Sequence, residues 1–163
     1  MAPSIATYYS GWETYQRLLT GAVAPLGEEQ LNLRAAPHLW SVRVIASHVA
    51  ATRAWWFHSW MGEGGQEFDV LAEFDEGEES ERRQAPEIVR ALEATWALVD
   101  SCLGRWSDAD LDARFQRPVP NAAGERPWRD RRFIIWHVAE HDLHHGGELS
   151  FSLGMHGFPA IDL

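Results

Sequence analysis

WHVAEHDLHHGGELSFSL, Trp136 to Leu153, carries four of the chain's eight histidines inside nine residues: His137, His141, His144 and His145. Their spacing is helical, and positions three, four and seven apart on a helix project from one face. Neutral imidazole is the commonest protein ligand for a transition metal. The stretch can therefore offer two ligands to one ion from a single helix, Arg131 to about Leu153, which Gly154 stops. On the helical wheel all four histidines and Glu148 share that face, so spacing alone does not choose among them. A third ligand must come from elsewhere, and His48 in SVRVIASHVAATRAWW is the best candidate.

Outward from this segment, three further helices are predicted. The first runs from about Ser4 to Ala24, with Ile5, Tyr8, Trp12, Tyr15, Leu18 and Leu19 at amphipathic steps, and Pro25 closes it. A connection follows in which Glu28 to Leu33 forms a short helical turn. Ser41 caps the second helix, Val42 to about Met61, with His48 on its broad apolar face. The third starts near Pro86, a favoured first-turn residue, and reaches Leu103 or Gly104. Between the helices lie two long stretches. Residues 63–84 read as an acidic surface connection. In 107–130, a helical turn at Asp108 to Phe115 precedes a strand-like excursion. The expected architecture is all-α: one domain, residues 1–163, a four-helix bundle with long crossing connections.

Composition excludes several classes of function. The net charge is −10 and all fourteen cations are arginine. Without lysine there is no Schiff-base chemistry, no lysine-anchored pyridoxal phosphate and no P-loop lysine. An acidic surface argues against nucleic acid as a partner. No apolar run approaches a membrane span and the amino end lacks a leader pattern, so the cytoplasm is the expected location. Cys102 is alone, on a helical apolar pattern, and reads as a buried, inert thiol. Nine tryptophans exceed what one core requires, which admits a homodimer through a helix face.

Each histidine has a bland reading beside the metallic one. A lone histidine on an apolar face, such as His48, is more often a satisfied core residue than a ligand. A facing helix carrying His-x-x-x-His reverses that preference. His144 reads as an outer or surface residue, His137 as lying between outer shell and core, and His38, His58 and His156 as solvent-facing or capping. His137 to His141 also fits the short H-x-x-E-H pattern, whose enzymes draw a third ligand from a large domain, and it is set aside. Glu-x-x-His, which carboxylate di-iron bundles require, is absent.

The order of a Leu39-Trp40-Ser41 cap, an in-helix His48 and a closing His141-x-x-x-His145 followed by Gly-Gly-Glu resembles the DinB-like superfamily of bacterial four-helix bundles. The most specific part is HDLHHGGELS, similar to the family's His-x-x-x-His-Arg-Gly-Gln. Matched residue by residue, the family's three metal ligands fall on His48, His141 and His145. The family's Arg-Gly-Gln is Gly146-Gly147-Glu148 here, so a frequent arginine is missing. The resemblance implies a divalent ion, zinc or nickel, and relatives that are thiol-dependent isomerases or S-transferases using a low-molecular-weight thiol cosubstrate.

Three histidines leave a coordination position open, as in catalytic zinc sites. The expected chemistry is metal-assisted attack on a small-molecule substrate, by thiol transfer or by hydrolysis, with Glu148 or Glu140 orienting water or accepting a proton. Trp12, Trp40, Trp55, Trp56 and Trp136 are candidate walls of an apolar pocket. The alternative is a non-catalytic metal-binding or stress-response protein. A cleft beside the histidines, with Arg43, Arg131 or Arg132 near it, would favour the enzyme.

Overall fold

The computed structural model describes residues 4–163. Met1 to Pro3, the start of the stretch read as carrying no leader, lie outside the described residues. Helix α1 spans Ser10–Val23 and buries Trp12, Tyr15, Gln16, Leu19 and Val23, a single stripe at steps of three and four. Its expected first turn is instead a 3-10 segment, Ile5–Tyr9, tied to the end of a later helix by Ile5 N–H donating to the Trp106 carbonyl at 2.9 Å. Helix α2 is the short turn Glu28–Leu31.

Helix α3, Val42–Ala54, is the centre of the bundle. Ser41 caps it, its hydroxyl accepting from Val44 N–H at 3.3 Å. Every residue of α3 except Val44 and His48 is buried, because it packs against two long helices at once. The small Ala46, Ala50 and Ala54 recur every four residues and let those neighbours approach. The sequence predicts one continuous helix to Met61; the structure changes to a wider π-helical turn at Trp55–Trp60. That turn lets Trp56 stack on Trp60 (4.2 Å, 12°) while Phe57 stacks on Trp106 (5.9 Å).

The connection after it is less plain than its acidic composition suggests. It holds α4, Asp69–Ala72, and two 3-10 turns, Gln66–Phe68 and Glu78–Arg82. Helix α5 then runs Ala85–Arg105, with Pro86 in its first turn and Glu87 accepting from Gln84 N–H at 2.9 Å. The strand-like excursion is an antiparallel hairpin, β1 (Arg114–Gln116) with β2 (Trp128–Asp130), register Phe115 to Arg129. Trp60 Nε1–H pins it by donating to the Phe115 carbonyl at 3.1 Å. Helix α6, Arg131–Met155, is capped by the Asp130 carboxylate, which accepts from Phe133 N–H at 2.7 Å.

Two apolar clusters fill the bundle. One gathers Leu19, Val23, Val49, Leu92, Leu149 and Leu153, the other Ile5, Phe57, Val99, Leu103, Ile134 and Val138. A buried polar group links the helices at mid-height. Asp142 of α6 accepts from Arg53 Nε (2.8 Å) of α3 and from Trp12 Nε1 (2.6 Å) of α1. Arg53 also donates to Gln16 Oε1 at 2.6 Å and to the Leu92 carbonyl of α5 at 3.2 Å. Both charged side chains are fully buried. Among the described residues no helix is long and apolar enough to cross a membrane.

Candidate metal centre

Because α3 lies between α5 and α6, its one half-exposed flank turns His48 towards the histidine face of α6. One ring nitrogen each from His48, His141 and His145 lies within 4.8 Å of the others. The closest approach is His48 Nε2 to His141 Nε2, 3.0 Å, with Thr52 Oγ1 3.3 Å from that same His141 nitrogen. The rings stand at angles to one another: 54° for His48 and His141, 63° for His141 and His145, 88° for His48 and His145. Of the four histidines on the α6 face, the structure thus brings two to His48.

The outer nitrogens of this group are held by carboxylates. His48 Nδ1 meets Asp75 Oδ2 at 2.5 Å and His145 Nδ1 meets Glu148 Oε2 at 2.7 Å. An imidazole that donates from Nδ1 carries its lone pair on Nε2, the arrangement that carboxylate–histidine–metal units use. Among the described residues, His141 Nδ1 is buried without a hydrogen-bond partner, so no acceptor or donor there selects its tautomer. Burial, and after it the neighbouring imidazoles of His145 and His48, pushes His141 down to about 3. Burial also lowers His145, against the pull of Glu148. Imidazole lone pairs that face one another at 3.0 Å repel unless a proton or a cation lies between them. The donor set therefore fits a divalent ion.

Asp75 is the residue that sequence reasoning missed. Phe74 beside it is buried, with the Arg83 guanidinium 3.9 Å from its ring and Arg83 Nε donating to its carbonyl at 3.0 Å. Anchored there, the chain delivers Asp75 to His48. Glu148, expected to act on water or a proton, is placed as the partner of His145, and its second oxygen lies 3.4 Å from His144 Nε2. Glu140 is exposed.

Two cavities border the histidines. One, about 490 Å³, is lined by Leu39, Trp40, Ile45, His145, Glu148 and Phe151 among others. The second, about 360 Å³, is lined by His48, Thr52, Trp55, Asp75 and Arg117 among others. Of the tryptophans expected to wall a pocket, Trp40 and Trp55 do so here. Trp12 is core, Trp56 sits on Trp60, and Trp136 faces outward. The arginines named for an anionic partner lie elsewhere. Arg43 is buried against Glu28 and the Arg83 carbonyl, Arg131 bonds the Asp110 carbonyl, and Arg132 pairs with Asp112. Arg117 takes their place at the smaller cavity.

The remaining histidines fall largely as their surroundings suggest. His137 stacks on Phe133 (5.6 Å, 11°) and stands edge-on to Trp56. His144 is exposed. His58 bridges the Glu63 carbonyl and Asp69, and His156 meets the Arg34 carbonyl. Cys102 is buried, and desolvation pushes its thiol up to about 12, so it supplies no nucleophile at neutral pH.

Comparison with known proteins gives the family and the fold. A family model described as the DinB superfamily matches residues 12–149. A crystal structure of a DinB-like protein from Bacillus cereus superposes with a TM-score of 0.69 at 18% identity, covering 100% of this chain and 99% of that one. No curated protein matches the chain.

Proposed function

This chain belongs to the DinB superfamily, and from that premise we propose that His48, His141 and His145 hold one divalent metal ion, zinc or nickel, in a metal-dependent enzyme. The observation that carries the reading is the convergence of three histidine ring nitrogens within 4.8 Å beside a cavity of about 490 Å³. A metal held only for structure needs no such opening, and closed tetrahedral sites fill their coordination with protein ligands. The cavity therefore favours catalysis over a non-catalytic binding role.

When bound, the ion would supply Lewis-acid activation, lowering the pKa of a water or thiol enough to make it a nucleophile near neutral pH. The chain's own residues do the rest. Asp75 and Glu148 hold the Nδ1 protons of His48 and His145, which fixes tautomer and ring orientation. The Arg53–Asp142 group locks α3 to α6, one residue away from Thr52 and His141 respectively, and so holds the facing imidazoles in register. Trp40 stacks on His145 (5.9 Å, 26°) and meets His48 edge-on (5.0 Å), covering the imidazoles on one side. The protein offers no ionised thiol of its own, so a low-molecular-weight thiol is the nucleophile we favour, with a small molecule as acceptor.

Activity assays separate the chemistries. Zinc-loaded protein is incubated with cysteine and 1-chloro-2,4-dinitrobenzene, and separately with 4-nitrophenyl acetate. Conjugation that His48→Ala abolishes supports thiol transfer, and ester cleavage with the same dependence supports hydrolysis. If neither rate exceeds that of the variant for any acceptor or ester tried, the catalytic reading fails.

A further inference from the structure

The larger cavity has an unusual wall. Leu39, Trp40 and Phe151, which line it, leave 45%, 47% and 63% of their surface exposed. Large apolar groups gathered around a concavity, rather than scattered, mark a surface that a ligand covers. Its volume, about 490 Å³, falls in the range of small-molecule sites.

Among the described residues lining this wall, Glu148 is the one carboxylate. His38 and His145 stand beside it, and no arginine lies among the described lining residues. Arg34, on the same loop as Leu39, donates to the Leu39 carbonyl and is not among the lining residues. The chain contains no lysine and carries a net charge of −10. A carboxylate or phosphate entering here would lose its hydration and meet no cation, with Glu148 repelling it.

Trp40 connects this wall to the imidazoles, since it contacts both His145 and His48. Trp40 and His145 both line the cavity, so a ring seated in it lies beside both. We infer that this cavity seats the substrate, and that the substrate is an uncharged molecule with a flat apolar ring held against Trp40 and Phe151. Chemistry on that molecule rests on the metal centre proposed above; its seating depends only on the cavity walls.

A matched pair of probes tests this: 2-naphthol, neutral at pH 7, and 2-naphthoate, which carries the same ring and a negative charge. Binding is measured by calorimetry on metal-free full-length protein, so that no ion attracts the carboxylate. Naphthol should bind at least about tenfold more tightly than naphthoate. Trp40→Ala and Phe151→Ser should each weaken naphthol by about tenfold, while circular dichroism and melting temperature show the fold retained. Glu148→Gln should narrow the gap between the two probes. Equal or tighter binding of naphthoate overturns the inference, as does naphthol affinity that is immeasurable or insensitive to both wall substitutions. Zinc content after loading the same preparations tests the centre separately. Zinc binding without naphthol binding overturns the cavity's role alone, and naphthol binding without zinc binding overturns the centre alone.

Discussion

Asp75 and Glu148 each hold one histidine by its Nδ1, and their removal should be felt at the other side of the ring. Asp75→Asn and Glu148→Gln should each weaken zinc affinity by roughly ten- to a hundredfold, the usual cost of an outer-shell partner. His144, which with His145 and Glu148 makes a second, more exposed group, stands apart from the three-histidine group, and His144→Ala should leave the affinity of that group unchanged. Competition with a chromogenic chelator measures all three. Cys102 gives a second residue-level prediction. With its thiol pushed up to about 12 by burial, native protein at pH 8 should not react with a disulfide reagent over minutes, and denatured protein should release one equivalent at once. At this scale the sequence was partly legible. His48 could be picked because it is a histidine facing a His-x-x-x-His helix. Asp75 could not: it is one of many acids between Glu63 and Glu81, and only the burial of Phe74 singles it out. Glu148 was found for its place on the histidine face, but its contact with His145 needed coordinates.

Arg53 and Asp142 join α3, α5, α6 and, through Trp12 and Gln16, α1, in a setting where neither charge sees water. Desolvation pulls the Asp142 carboxyl upward while Arg53 opposes it. Removing one partner strands the other, so Arg53→Ala should cost about 3–5 kcal/mol in denaturant unfolding, whereas the paired replacement Arg53→Met with Asp142→Leu should cost far less. A double variant as unstable as the single would mean that packing volume, not charge, sets the cost. Helix α2 supplies a pH-dependent contact. Gln84 first, then Arg43 and Asn32, hold the Glu28 carboxyl down from 4.5 to about 2. Because the folded pKa lies below the unfolded one, its contribution is complete above 4.5 and is lost as pH falls towards 2. Glu28→Gln should flatten melting temperature against pH across that window; an unchanged acid limb would show the contact to be unlinked to folding. Helix positions were legible because apolar residues recur at helical steps. The π turn was not, since the tryptophans that widen it fit an α-helical face equally well. The Arg53–Asp142 pair left a signal that could have been read: a charge on the otherwise small and uncharged run Val49 to Ala54, and an acid between His141 and His145.

Across the whole molecule, two apolar clusters joined by a buried charged group make a bundle in which the histidine faces of α3 and α6 are held opposite each other. The carboxy-terminal tail folds back on α6, with Ile161 N–H donating to Ser150 Oγ at 2.9 Å and Phe158 packed on the core. The all-α architecture followed from four amphipathic segments, while the long connections reach the histidine group: one brings Asp75 to His48, the other brings Arg117 beside the smaller cavity. Linkers of this kind have no periodicity to read, and their course is set by a few anchored side chains. The most direct test of the metal centre is anomalous diffraction at the zinc edge from crystals of protein loaded with one equivalent of zinc. A single peak about 2.0–2.1 Å from a ring nitrogen of each of His48, His141 and His145 is the predicted result. A peak elsewhere, or none above noise with the zinc retained in solution, would contradict it.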